Sequence, residues 1–586
     1  MVLLLHSLIN LSLNTIIMKR LFYFTFLLVF LNIKCFAQNV EWAFGFVGNG
    51  NEEGHAIALD DAGNTYLTGR FQGTVDFDPS PGGTFNLTSQ GSTDIFIQKL
   101  DSQGNFVWAK SFGGSLIDEG LDIVVTSSNE IVIAGTFTLT VDFDPGPGTF
   151  NLNAPSDGRI FLLKLDSSGN FVWAKAIGGS SYYDGNVNIE RHSLDIDDND
   201  NLFLIGDFDD SPDFDPSAST LNLTSNGSKD VFIISLDNSG NLIWVKSFGG
   251  TDRDLPIGIS IDGSGNIITA GEFESTTIDL DPGSGTFNIS ATENVNSFVQ
   301  KLDANGNFLW ALSYGDGDQS ERVKIMTTDS SNSIYLVGNV LFTTDFDPGP
   351  SVFNLNSSSG STETYVMKLD ASGMFEWAGV YSAYDDLGAL STDNQNNLYI
   401  SGNFSGFVSF DIASAGNSLN SIGSIDGYIS KFDENGVHQW VAQLSSDTSL
   451  TTFDVLADNS GFIYCTGYFF ADNAISDENG GWLINGTKLG SDIFMVKLDQ
   501  PTMSTHQDNI ENLVQYPNPT FGRVYFNGLD VVNTFQICII NSNGKIIRED
   551  TGTLENGLEL PEEPGLYFIQ LTNINKLTKT FKVLKR

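Results

Sequence analysis

The residues best suited to chemistry are aspartates set one residue apart and followed by proline. They recur as Asp76-Phe77-Asp78-Pro79, Asp142-Phe143-Asp144-Pro145, Asp213-Phe214-Asp215-Pro216, Asp279-Leu280-Asp281-Pro282 and Asp345-Phe346-Asp347-Pro348. In extended backbone, residues two apart share a face, so each carboxylate pair points one way and the intervening Phe or Leu the other. Neighbouring carboxylates repel unless water or a cation separates them, and calcium takes about six to eight oxygens, carbonyls included. The ten aspartates are therefore candidate calcium ligands. A plainer assignment also stands, with the aromatic residue as anchor, the carboxylates as a solvated rim and proline as strand terminator. Further along, only Phe410-Asp411 survives of the pattern, and the last stretch lacks it.

Other reactive sets are scarce. The five histidines (6, 55, 192, 438 and 506) show no metal-ligand spacing, and neither a Gly-x-Ser-x-Gly elbow nor a phosphate loop occurs. Paired acids of the glycosidase kind are everywhere in so acidic a chain, so they single out no position. No catalytic residue is assigned, and no cofactor beyond calcium. Cys35, Cys465 and Cys538 are too few for a disulfide scaffold; the last two are expected as free thiols in different domains.

The elements that position these residues come from a repeat. Trp42, Trp108, Trp173, Trp244, Trp310, Trp377 and Trp440 recur at about 66 residues, as do Gly69, Gly135, Gly206, Gly271, Gly338, Gly402 and Gly467. A Lys-Leu-Asp triplet or close variant, as at 99–101 and 301–303, keeps the same step. Each unit reads as four strands: His55–Leu59, Thr65–Phe71, Asp94–Leu100 and Phe106–Lys110 in the first complete one. Turns such as Asp101 to Asn105 carry the Gly and Asn that tight hairpins need. Seven such units describe an all-β, seven-bladed β-propeller over residues 38–500. Glu41–Phe44 is a fourth strand with no third before it, and Asp492–Leu498 a third with no fourth after. Pairing them completes the seventh blade from both ends and leaves no open edge.

The unit Ala-Leu-Asp-x-x-Gly-Asn-x-Tyr-x-Thr-Gly, at 58–69, resembles the repeat of the secreted seven-bladed SBBP propeller family, over roughly residues 41–499. That resemblance implies a propeller and little about activity. The stretch Leu100 to Trp108 loosely resembles the tryptophan-docking repeat of quinoprotein dehydrogenases, although no cofactor cluster accompanies it. Inter-blade packing is the expected role of the tryptophans.

Residues 1–37 read as a signal peptide, with Lys19-Arg20, the apolar run Leu21–Ile33 and a cleavage site at Cys35-Phe36-Ala37; Met18 is a candidate start. Residues 501–512 are a polar linker. Residues 513–586 resemble the C-terminal sorting domain of type IX secretion cargo, carried by Tyr516-Pro517-Asn518-Pro519 and Gly565-Leu566-Tyr567. The likeness implies a small β-sandwich, a partnership with the type IX machinery, and a place outside the cell or on its surface.

Lys and Arg number 28 against 72 Asp and Glu, a net charge of −44, which excludes binding to nucleic acid through a basic patch. No later apolar run spans a bilayer. The expected function is a monomeric, non-catalytic binding or adhesion scaffold for a glycan or protein ligand. The alternative is a polysaccharide hydrolase or lyase, which would need charged residues from several blades to converge on the pore.

Overall fold

The computed structural model describes residues 39–586 apart from 157, 179–186, 292–294, 315–320, 358–361, 382–386, 411–417, 477–481, 487–489, 500–513, 517–522, 528–534, 543–544, 553–557, 562, 573–577 and 586. The signal peptide, the linker, Cys35, Asp411 and Pro517, Asn518 and Pro519 of the sorting motif lie outside the described residues. The chain divides into two compact units, Met1–Gln500 and Pro501–Arg586.

The first unit is all-β and propeller-like, built from antiparallel four-stranded sheets, one of which divides its edge strand in two. In the first sheet the strands are Glu53–Leu59, Thr65–Phe71, Asp94–Leu100 and Phe106–Phe112, in that order from the inside out. The innermost strand starts two residues earlier than its sequence suggests, at Glu53 rather than His55. The six further innermost strands are Glu119–Val125, the divided pair Val187–Asn188 and Leu194–Ile196, Asp254–Ile261, Glu321–Thr328, Leu387–Thr392 and Ser449–Ala457. Their sheets are numbered two to seven here. These strands touch one another in chain order, and Ser449–Ala457 touches Glu53–Leu59. In the seventh sheet Asn39–Phe46 pairs antiparallel with Asp492–Asp499, so both chain ends of the unit share one sheet.

Burial follows position within the sheet. Every residue of Asp94–Leu100, Asp230–Leu236 and Asn296–Leu302 is buried, because a third strand is covered on both faces by its neighbours. The recurrent glycine has a steric cause. The innermost strand bulges between Gly54 and Ala56, and a Cβ on Gly69 would stand 2.0 Å from the Glu53 carbonyl oxygen. Gly135 and Gly206 face the same obstruction at 2.1 Å.

Tryptophan joins successive sheets. The Trp108 indole donates to the Ser167 carbonyl (3.3 Å), Trp173 to Asn238 (3.2 Å), Trp244 to Ala304 (3.2 Å) and Trp377 to Glu434 (3.1 Å). Each acceptor lies in the last hairpin turn of the following sheet. The lysine of the triplet makes the same crossing: Lys99 to Ser167 (3.3 Å), Lys301 to Ala371 (3.0 Å) and Lys368 to Glu434 (3.3 Å).

The second unit has a three-stranded sheet, with Arg523–Asn527 between Val514–Tyr516 and Leu558–Glu559, and a four-stranded one. The latter runs Ile546–Gly552, Phe535–Asn541, Gly565–Thr572, Thr578–Lys585. Val524 and Leu558 of the first sheet share a core with Ile537, Tyr567, Ile569 and Val583 of the second. Cys465 is buried in the first unit and Cys538 half-buried in the second, and neither forms a disulfide. Among the described residues no helix is long and apolar enough to cross a membrane.

Candidate functional site

Charged side chains gather where the innermost strands begin. The residue after each recurrent glycine sits on the second strand, beside the start of the first: Arg70 opposes Glu53 in register, and Glu272 opposes Leu255. Arg70 bridges two sheets, reaching Glu53 at 2.9 Å and Glu119 at 3.1 Å. Lys229 pairs with Asp207 at 2.6 Å, while Arg322 and Lys324 of the fifth sheet both reach Glu272 of the fourth at 3.4 Å.

In each pair the cation is the more exposed partner. Arg70 is 31% exposed above Glu53 at 15%, and Arg322 is 41% exposed above Glu272 at 11%. The carboxylates are the more deeply set partners and the cations the more solvent-accessible ones. Burial opposes ionisation of Glu53, but hydrogen bonds and charge from His55 and Arg70 outweigh it and hold the carboxyl at about 2.

The third sheet departs from the repeat here. Its innermost strand is broken between Val187–Asn188 and Leu194–Ile196, and His192 adopts a left-handed φ of 62°. The break sends two side chains across to other sheets. His192 Nε2 lies 3.2 Å from the Gly388 carbonyl of the sixth sheet, and the Arg191 guanidinium stands 4.0 Å from the Phe453 ring of the seventh. His55 meets the same ring edge-on at 5.6 Å, and Tyr468 lies 5.3 Å away on its own sheet. Burial, with the charge of Arg191, lowers His192 to about 4. The neutral ring donates through Nε2 to Gly388. His55 Nδ1 is 2.8 Å from the Gly120 carbonyl. Both rings are thus engaged by backbone.

Below this cluster three aspartates staple neighbouring innermost strands. Asp454 Oδ2 accepts from the Ile57 N–H (2.7 Å), Asp122 Oδ2 from Leu194 (2.9 Å) and Asp195 Oδ2 from Ile261 (2.7 Å). Burial, then the charge of Asp122, pushes Asp454 up to about 8. Burial likewise raises Asp122 to about 7 and Asp195 to about 6.

The five aspartate pairs lie elsewhere, on hairpins beyond the second strands. Phe77, Phe143, Phe214, Leu280 and Phe346 are fully buried, as the alternation requires. The carboxylates hold backbone. Asp76 Oδ1 accepts from the N–H groups of Asp78 (3.1 Å) and Phe85 (2.8 Å), and Asp142 from those of Asp144 (3.1 Å) and Phe150 (2.7 Å). Asp213, Asp279 and Asp345 repeat the arrangement on Asp215 and Leu221, Asp281 and Phe287, and Asp347 and Phe353. The second aspartate of each pair caps the N–H two residues on, as Asp144 does for Gly146 (2.8 Å) and Asp347 for Gly349 (2.8 Å). Among the described residues no group of three or more metal-capable side chains gathers. One pair, Asp213 and Asp215, lines a surface cleft of about 390 Å³ with Arg159 and Lys175. Phe85, Phe150, Phe287 and Phe353 lie half-exposed at the ends of these hairpins. Each packs at a tilt against an outermost-strand phenylalanine, as Phe85 does against Phe106 at 5.0 Å.

The charged cluster at the starts of the innermost strands was missed in the sequence, although it left a signal. The position after each recurrent glycine varies as Arg70, Thr136, Asp207, Glu272, Asn339, Asn403 and Tyr468, while the glycine itself does not.

In the second unit Gly565 begins the strand that carries Tyr567, whose hydroxyl donates to the Glu563 carbonyl (2.8 Å). Tyr516 ends the strand Val514–Tyr516. Residues 514–586 match the family model described as the secretion system C-terminal sorting domain. The chain thus carries a type IX sorting domain, which marks it for export to the cell surface or medium through that machinery. Over 164 residues, 27% of this chain, it is 30% identical to an uncharacterized WD repeat-containing protein of Acanthamoeba polyphaga mimivirus, and the match covers 11% of that protein. Over 90 residues, 15% of this chain, it is 26% identical to the regulatory protein FlaEY of Caulobacter vibrioides, 9% of which is covered. The chain thus spans about a tenth of the length of these relatives. Solved structures that resemble it include a polysaccharide lyase (TM-score 0.37, 10% identity, 79% of this chain and 98% of that one). Another is a Synechocystis apocarotenoid oxygenase mutant (TM-score 0.33, 9% identity, 77% and 95%).

Proposed function

We propose that residues 38–500 form a closed, seven-bladed propeller of the SBBP type that acts outside the cell as a non-catalytic binding scaffold. Its ligand is an acidic glycan, carboxylated or sulfated, taken at the charged cluster. Closure is supported by the pairing of Asn39–Phe46 with Asp492–Asp499 and by the contact of the seventh innermost strand with the first. The ligand class rests on one observation. In a chain of charge −44, Arg70, Lys229, Arg322 and Lys324 stand together as cations more exposed than the carboxylates they pair with. Such cations steer and hold anions, and the body around them repels anions elsewhere.

A hydrolase or lyase acting on polysaccharide is the second reading, favoured by the meeting of Glu53, Arg70, Glu119 and Arg191 from three sheets. Against it, Glu53 and Glu119 are tied to Arg70, and His55 and His192 are engaged with backbone carbonyls. Incubation of the exported chain with acidic and neutral polysaccharides, followed by measurement of retention and of chain length, separates the two. Retention of acidic chains at unchanged length supports the scaffold. Shortening supports the enzyme, and no retention of acidic chains contradicts the ligand class.

A further inference from the structure

Away from the charged cluster, three seams between adjacent sheets bury two acids side by side. Isolated parallel bridges pair Thr93 with Ile117 and Lys229 with Arg253, so the next residues, Asp94 with Asp118 and Asp230 with Asp254, lie abreast. The Glu52 N–H donates to the Ser491 carbonyl (2.9 Å), which sets Glu52 beside Asp492 in the same way. All six are at most 1% exposed.

Backbone N–H groups hold one oxygen of the acids: Gln90 on Asp94 Oδ2 (2.9 Å), Asn226 on Asp230 Oδ2 (2.9 Å), Gly250 on Asp254 Oδ2 (2.6 Å) and Gly50 on Glu52 Oε1 (3.1 Å). The second oxygen of each, Asp94 Oδ1, Asp230 Oδ1, Asp254 Oδ1 and Glu52 Oε2, is buried without a hydrogen-bond partner. A fourth seam supplies the control. Ile425 bridges to Ser449, but the next residue on that strand is Leu450, so Asp426 stands alone. Its oxygens are all held, Oδ2 by the Ile422 N–H (2.7 Å) and Gln443 Nε2 (2.7 Å) and Oδ1 by the Ser446 N–H (3.2 Å). Each of the three paired seams thus carries at least one orphaned carboxylate oxygen, and the Asp426 seam none.

Buried carboxylates abreast cannot both stay ionised without compensation, and a buried acceptor without a donor is costly. A hard divalent cation answers both demands through oxygen ligands alone. At two of the three seams a carbonyl oxygen lies beside the glycine that holds the acid: a Cβ on Gly114 would meet the Thr140 carbonyl at 2.8 Å, and one on Gly250 the Thr277 carbonyl at 2.5 Å. The N–H of Gly114 holds Asp118 (2.6 Å), as that of Gly250 holds Asp254. We propose that each of these three acid pairs binds a calcium ion between adjacent sheets, through the orphaned carboxylate oxygens. These sites are distinct from the aspartate pairs of the outer hairpins.

The test is calcium titration of the full exported chain after chelator treatment, read by binding stoichiometry and by thermal melting. Three ions should bind, and the melting midpoint should rise saturably by several degrees. The double variant Asp230→Asn/Asp254→Asn should lose one ion, whereas Asp142→Asn/Asp144→Asn should lose none. Wild-type protein that binds no calcium, or whose midpoint calcium leaves unmoved, overturns the proposal without recourse to variants. Unchanged stoichiometry in the seam variant overturns it equally.

Discussion

Lys497 Nζ donates to the Ser102 carbonyl at 3.1 Å, across the seam between the last sheet and the first. The contact has the form of Lys99 to Ser167 and Lys301 to Ala371, so the seam nearest the chain ends is latched like the interior ones. Lys497→Met keeps most of the apolar stem and leaves the carbonyl without its donor. A loss of about 1–3 kcal/mol in urea unfolding is expected. A loss no greater than that of an exposed lysine variant would show that the latch carries nothing.

The tryptophan joint separates into packing and hydrogen bonding. Trp108→Ala should destabilise by about 2–3 kcal/mol, since the ring is partly buried against the neighbouring core and its removal loses that packing. Trp108→Phe keeps much of the ring and loses only the bond to Ser167, about 1 kcal/mol. Denaturant melts of the two variants give the ratio, and equal losses would contradict this division.

Stability should peak on the mildly acidic side of neutrality. Asp454 releases its proton near 3.8 when unfolded but holds it to about 8 when folded. The folded state therefore binds the extra proton in between, and stability falls as pH rises through that window. Glu53 acts oppositely: its folded value of about 2 lies below the ordinary 4.5, so its contribution is complete above 4.5 and lost as pH falls toward 2. Melting of chelator-treated protein from pH 5 to 8 should slope downward, and Asp454→Asn should flatten the slope.

The hairpin aspartates should behave as staples. Asp142 Oδ1 receives two backbone N–H groups, so Asp142→Ala should cost about 1–2 kcal/mol and Asp142→Asn, which keeps that oxygen, clearly less. Amide exchange at Phe150 should quicken in the alanine variant. Protection equal to wild type would return these carboxylates to the role of solvated rim.

The sequence showed what a repeat displays and concealed what a repeat varies. Gly69, Trp108 and the triplet around Lys99 recur because most sheets share the same bulge and the same joint, and periodicity reveals them. The Lys99 role stayed hidden because its acceptor, Ser167, lies in the following sheet. The charged cluster consists of departures from the repeat. Arg70, Asp207 and Glu272 occupy equivalent positions with unlike side chains, and the broken strand around His192 has no counterpart among the described residues. Glu53 and Arg70 stand 17 residues apart in the chain, while Arg191 and Phe453 belong to different sheets. No linear spacing connects such pairs. The seam acids were hidden likewise, since Asp94 and Asp118 meet only after two sheets have packed.

The proposed function is recognition of an acidic glycan by the exposed cations of the charged cluster. Its most direct test is a calorimetric titration of the full exported chain with a sulfated or carboxylated polysaccharide, repeated with the double variant Arg70→Gln/Lys324→Gln at low and moderate salt. Wild-type protein should bind the acidic chain and not its neutral counterpart, more weakly as salt rises. The variant should lose at least tenfold in affinity while melting within a few degrees of wild type. Binding that is indifferent to salt and unchanged in a folded variant would contradict the account.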